Sequence, residues 1–324
     1  MRRLSMIVFL LILAGGVAAA QAGQSGSCGR ACLEDTVNQY LSAMVAHDAS
    51  KAPLAKTLKF TENAVKLPPT EGLWFTSSGL GDFKFYVSDP QAGQVGFVGI
   101  VKEHDKPVLL ALRLKVVNKQ ITEAESVVVR DLREQGLANL KTAPPAFSEA
   151  LAPSERVSRQ ELIRISNLYF DGIEKNDGDI VPWDKDCYRL ENGFQTASPN
   201  PQKPPQFPTG TDAGGPSPIP GGSTCGGGLS SGMLKTIYNI RPRRTPVVDE
   251  ERGITWGVYN FNHRGVLTVT LKDGTVRNSY APTPSSMPIA EIFKIRGGKI
   301  RDIVAVGTMV PYGMGDGWAG PLFK

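Results

Sequence analysis

Two stretches of this chain align without a gap at a spacing of 129 residues: Tyr40-Leu41, Asp48, Pro53 and Glu62-Asn63 recur as Tyr169-Phe170, Asp177, Pro182 and Glu191-Asn192. Such a repeat argues for two similar units, each with its own core, rather than one large domain. A later correspondence has a different offset. Lys115-Val116, a turn and Ile121 match Lys294-Ile295, a turn and Ile300, 179 residues further on. The second copy therefore holds about 50 extra residues between its matching beginning and end.

Hydrophobic periodicity supplies the elements. Leu33, Val37, Tyr40, Leu41 and Met44 recur at helical spacing and stop at the polar Asp48-Ala49-Ser50. Strand-like runs follow at 82–87, 95–102, 108–117 and 121–130. In the second copy a helix is expected over 159–176, with strands at 255–261, 265–271, 289–295 and 300–306. The class is α+β, a helix followed by an antiparallel meander, twice. The boundaries are a first domain at 28–138, a proline-marked linker at 139–157, and a second domain at 158–318 with a Pro/Gly-rich insertion at 194–228. That insertion lacks apolar periodicity and is expected at the surface.

Arg2 and Arg3 precede an apolar run over 6–14 and small residues over 15–22, the pattern of a signal peptide (1–22) cleaved near Ala20 or Ala22. No later segment approaches the roughly 18 apolar residues of a membrane span. The chain is expected to be secreted or periplasmic, with no stable membrane association. An even number of cysteines then favours disulfides over metal ligation. Four cysteines admit three connectivities, and the pairs taken here are Cys28 with Cys32 and Cys187 with Cys225. The formal charge of +5 loses two arginines with the signal, leaving about +3 and making nucleic acid a poor partner.

The segments Phe60-Thr61-Glu62-Asn63, Glu71-Gly72-Leu73-Trp74, Arg189-Leu190-Glu191-Asn192-Gly193, 246–253, Pro311-Tyr312-Gly313 and Gly317-Trp318 resemble secreted tandem SnoaL-like proteins of unknown function found in fungi and bacteria. The resemblance covers nearly the whole mature chain. It implies two cones of the nuclear transport factor 2-like kind, each a helix hairpin closing over a curved antiparallel sheet around a pocket. Relatives of this shape include cyclases, isomerases, dehydratases, epoxide hydrolases and scaffolds, so the fold alone does not choose an activity.

Candidate chemistry lies in polar residues expected to point inward. The repeated Glu62 and Glu191 come first, since a carboxyl in an apolar cone has a raised pKa and can shuttle protons near neutrality; the competing role is to cap a helix or fix a turn. Asp249 and His263 form a second acid–base candidate, with Asp249 and Glu251 expected on one strand face and Glu250 on the other. Asn262-His263-Arg264-Gly265 reads as a hairpin turn, which would expose the histidine. Arg241 to Arg252 reads as a self-compensating turn region. Tyr40, Trp74, Tyr169, Trp183, Tyr188 and Arg244 are candidates for ligand binding. Arg113 and Glu125 are expected as a matched buried pair in the first cone, replaced by Ile292 and Val304 in the second.

Gly228-Leu229-Ser230-Ser231-Gly232 fits a nucleophile elbow in letters, but no strand precedes it. The three histidines are far apart, so no local metal motif is expected, and no nucleotide fingerprint calls for a cofactor. Two readings remain: a cofactor-free enzyme acting on a small molecule, and a non-catalytic binding or scaffold protein whose two domains pair within the chain.

Overall fold

The computed structural model describes residues 28–199 and 224–318; the expected signal peptide and residues 200–223 of the insertion lie outside them. The described part opens with α1 (Arg30–Val45), whose buried stripe is the predicted Leu33, Val37, Tyr40, Leu41 and Met44. The first half continues through β1 (Leu54–Glu62), β2 (Val65–Leu67), the short α2 (Leu73–Thr76), β3 (Ser77–Asp89), β4 (Gln94–Glu103), β5 (Lys106–Val117) and β6 (Gln120–Val129). Its sheet runs β2-β1-β6-β5-β4-β3.

α3 (Glu134–Asn139) leads through 3-10 turns to α4 (Arg159–Lys175), capped by the Ser158 hydroxyl at its start and ended by Asn176 at φ 53°. The second half adds β7 (Trp183–Glu191), β8 (Phe194–Ala197), α5 (Cys225–Leu229), β9 (Asn239–Asp249) and β10 (Ile254–His263). A small ribbon follows, β11 (Thr268–Thr270) with β12 (Val276–Asn278), and then β13 (Ser285–Arg296), β14 (Lys299–Gly307) and β15 (Val310–Pro311). The main sheet runs β8-β7-β14-β13-β10-β9, the same order as in the first half, with β15 on β13. The protein is α+β with two mixed sheets.

Three expectations are corrected. The sheets are not simple meanders, because β1 lies parallel to β6 and β7 parallel to β14; alternation marks a strand but not its direction of pairing. Only 268–270 of the expected strand at 265–271 is a strand, in a ribbon apart from the main sheet. The charged run from Arg241 is an edge strand, β9, rather than a turn. Its arginines each find an acid on another element, Glu174 for Arg241, Asp171 for Arg243 and Asp316 for Arg244.

The repeat landmarks do architectural work. Asp48 and Asp177 each accept a backbone N–H two residues on and cap a 3-10 turn. The carbonyls of Pro53 and Pro182 accept from Ile121 and Ile300, fixing the start of each returning strand. Asn63 and Asn192, both at positive φ, hold the backbone of Val128 and Gly307 with donor and acceptor of the same amide. Arg113 pairs across strands with Glu125, and Ile292 with Val304, each pair two rungs from a register shift at the matching position.

Each sheet buries one face against its helix; the other two faces form a shared apolar layer that includes Phe83, Phe85, Leu109, Val247, Trp256 and Ile292. Arg113 and Glu125 belong to this shared side and not to the first cone, and Arg244 from β9 joins them. Arg30 to Asp249 and Arg159 to Asp89 cross between the halves as buried-acid ion pairs. The proline-rich connection packs as well: Phe147 stacks on Phe85 at 4.7 Å, and buried Lys294 donates to the Glu149 carbonyl at 2.8 Å. The disulfides are Cys28–Cys32 and Cys187–Cys225.

Candidate functional site

The two repeated glutamates occupy matching strand ends but do different things. Glu62 is buried, accepts the Leu73 N–H at 2.7 Å at the head of α2 and meets Arg130 at 2.8 Å. Glycine is required at position 72, where a Cβ would come within 2.5 Å of this carboxylate. Glu62 is therefore fully engaged in holding α2 on the sheet. Glu62→Ala is expected to cost about 1–3 kcal/mol by stranding a buried N–H, read from urea denaturation, with no change in any ligand response of the second half.

Glu191 has no such duty. It is paired with Arg189, two residues back on β7 and on the same strand face. Across the small Ala305 of β14 lies Glu291 of β13, on the face that also carries Ile289 and Phe293. Arg189 donates to Thr196 Oγ1 at 2.9 Å and approaches Glu291 Oε1 at 3.4 Å. Tyr169 approaches Glu291 from α4. The Arg189 Nε and Glu291 Oε2 are buried without a hydrogen-bond partner.

An unpartnered atom on a fully buried acid is costly, and the acid responds by keeping its proton. Burial, with Glu191 adding to it and Arg189 opposing, raises the Glu291 pKa from 4.5 to about 7. The matching positions of the first half, Phe60 and Leu112, are part of an apolar core. One interior is therefore chemically furnished and the other is not. Neither Glu291 nor Arg189 was singled out from sequence, although the offset that set Ile292 opposite Val304 also sets Glu291 opposite a leucine.

His263 corrects its expectation of exposure: it is the last residue of β10, paired with Ser285 and fully buried. It shares the interior strand face with Tyr259 and Phe261, and its Nε2 meets the Tyr280 hydroxyl at 3.1 Å. Burial lowers its pKa to about 4, so it is a neutral imidazole at physiological pH. Tyr280 is itself partly exposed, and β10 pairs with Glu291 at Gly257, six residues before His263, so the histidine lies at the far end of the strand from the Glu291 cluster.

The remaining candidates disperse. Asp249 takes both guanidinium nitrogens of Arg30, at 2.6 and 2.9 Å, where the halves meet. β9 ends there, so the expected strand faces of Glu250 and Glu251 do not exist; they lie in the turn to β10, bonded to Arg159 N and to Arg30. Arg244 belongs to the shared layer with Glu125 and Asp316. Tyr188 points away from Arg189, into that same layer. Tyr40 packs edge-on against Trp74 at 4.9 Å in the first core. Tyr169 is in the second core, and Trp183 sits at its edge with Nε1 donating to the Gly178 carbonyl. Behind Trp183, a cavity of about 430 Å³ opens beside the Cys187–Cys225 disulfide, lined also by Asp184, Ser230 and Lys272. Among the described residues no group of three or more His, Cys, Asp or Glu is placed to hold a metal ion.

No curated protein matches the chain. Residues 155–307 match the family model of a domain of unknown function, DUF8021, a span that contains α4, Arg189, Glu191, His263 and Glu291.

Proposed function

We propose that this is an exported protein of two tandem SnoaL-like, nuclear-transport-factor-like cones, in which the second binds a small organic molecule and acts on it by cofactor-free acid–base chemistry of lyase, isomerase or hydrolase type. The matching strand orders, with a helix over one face of each sheet, support the tandem arrangement. Two disulfides and the absence of any membrane-spanning helix among the described residues agree with export.

One observation carries the chemistry: Glu291 is fully buried beside Arg189, and each has an unpartnered polar atom. In its acid form Glu291 gives a proton to a substrate oxygen or carbon and is left as a carboxylate facing Arg189; it recovers the proton from product or water. The Arg189 Nε–H is a donor for a substrate oxygen. Glu191 holds the guanidinium in place, and its partly exposed side chain marks where the cluster reaches solvent. The first half serves as a scaffold, with its interior apolar and its glutamate engaged.

A non-catalytic binding or scaffold role, with the second interior filled by side chains, is the second reading. It is favoured by the dense aromatic filling of the second core, where Phe170 and Tyr259 rings sit 3.9 Å apart. A thermal-shift screen of the mature protein against a broad small-molecule library tests both. One chemical class should stabilise the wild type, by about 2.7 kcal/mol at a hundredfold excess over Kd, and fail with Glu291→Gln and Glu191→Gln while still stabilising Glu62→Ala. Turnover of that class, lost in Glu291→Gln, separates enzyme from binder. Hits that ignore Glu291→Gln, or no hits, would remove the second cone as the site.

A further inference from the structure

Besides the insertion between β8 and β9, the two halves differ in how β4 joins β5 and how β10 joins β13. In the first half β4 turns into β5 through His104 and Asp105 alone. In the second, β10 and β13 are separated by residues 264–284, whose ribbon β11–β12 pairs only with itself. The sheet closes without this excursion, as its counterpart does, so packing does not explain its surface.

That surface is apolar and cationic. Of the ten large hydrophobic residues exposed among the described residues, six gather here: Leu267 (75%), Val276 (62%), Met309 (47%), Tyr238 (44%), Tyr280 (41%) and Val266 (37%). The register places them at one end of the sheet. The Tyr238 N–H donates to Asn262 beside His263, the Leu267 carbonyl accepts from Ser279, and Met309 precedes the Val310 that pairs with Ser286. Among these, residues 264–284 contribute Arg264, Lys272 and Arg277 against a single acid, Asp273. The Arg264 guanidinium lies 3.2 Å over the Tyr238 ring. Lys235 reaches the ribbon at the Thr270 carbonyl.

We infer that this end of the second sheet docks peripherally on an anionic lipid bilayer. Exposed aliphatic and tyrosine side chains on a narrow ribbon enter the boundary between headgroups and acyl chains, and flanking cations meet the phosphates; the combination suits a charged apolar surface better than a neutral one. Tyr280 belongs both to this surface and to the contact with His263, so a bilayer would meet the ribbon beside the second interior. The inference reverses the sequence expectation of no membrane association, which rested on the lack of a spanning segment. It does not depend on the chemistry of Glu291.

Flotation of the full mature chain with vesicles tests it, using phosphatidylglycerol mixed into phosphatidylcholine against phosphatidylcholine alone. Wild type should float with the anionic vesicles, about tenfold less with neutral ones and progressively less as salt rises. The double variant Leu267→Glu, Val276→Glu should remain in the soluble fraction with an unchanged melting curve, since both residues are exposed. Phe75→Glu, at an exposed position of the first half, should float as wild type does. Absence of flotation on anionic vesicles, or flotation indifferent to the double variant, overturns the proposal, and Glu291→Gln should float normally.

Discussion

Replacing Glu291 by glutamine should raise stability at pH 7 and above by about 3 kcal/mol, because the buried acid shifts from 4.5 to about 7 and each pH unit is worth about 1.36 kcal/mol. The sign follows from proton counts. Below pH 4.5 the carboxyl is protonated in both states. From 4.5 to 7 the unfolded chain releases the proton and the folded chain keeps it, so stability falls as pH rises. Above 7 the loss is complete. His263 runs the other way: from about 4 to 6.5 the unfolded histidine holds a proton that the folded one lacks, so stability is lost as pH falls.

Between 4.5 and 6.5 the two contributions cancel, since folded and unfolded chains hold one proton each between these two groups. Wild type should therefore be flat there with respect to this pair. Glu291→Gln uncovers a slope rising with pH, and His263→Gln uncovers one falling toward pH 7. Urea midpoints at about half-unit intervals from pH 4 to 8 measure this; parallel profiles for wild type and Glu291→Gln would sink the claim that a protonated acid lies inside the second half. The gain in stability and the loss of ligand response in one substitution would identify Glu291 as a residue kept for a reason other than folding.

Much of this architecture was legible because the repeat retained it. Asp48 and Asp177, Pro53 and Pro182, and Asn63 and Asn192 are matched in sequence and do matched structural work. Strands with continuous apolar runs, β4, β5, β6, β10, β13 and β14, were visible for the same reason. β9 was hidden by its arginines, which find acids only once distant elements are in place. The parallel pairing of β1 with β6 and β7 with β14 is a property of the return path of the chain, and no local pattern encodes it.

The site was harder to read for a physical reason. The repeat marks what the copies share, whereas the buried ionisable cluster of Arg189, Glu191 and Glu291 lies where they differ. Glu191 was reached through the repeat, and Tyr169 with it, yet their partners Arg189 and Glu291 replace the aromatic and aliphatic residues Phe60 and Leu112. A charged residue inside an otherwise apolar strand, opposite a leucine in the duplicate, was the available signal. His263 was misread because its neighbours Arg264 and Gly265 are turn residues; the turn belongs to the excursion that begins just after it.

Trp256→Ala should cost about 3–5 kcal/mol, the range for removing a fully buried large aromatic, and the loss should be felt in both halves. The indole lies in the layer shared by the two sheets, against Gly96 of β4, where a Cβ would come within 2.7 Å of the ring. That contact ties residues 160 positions apart. Gly96→Ala in the wild type is therefore overpacking, at about 1–3 kcal/mol, but in the Trp256→Ala background the added methyl enters space the indole has left. The double variant should be no less stable than Trp256→Ala alone, a coupling of more than 1 kcal/mol. Scanning calorimetry should show one cooperative transition for wild type and two for Trp256→Ala, as each sheet keeps its helix-covered core and loses the one held in common. Equal costs for Gly96→Ala in both backgrounds would mean that the ring and the glycine are not in contact and that the halves are joined chiefly by the ion pairs of Arg30 and Arg159.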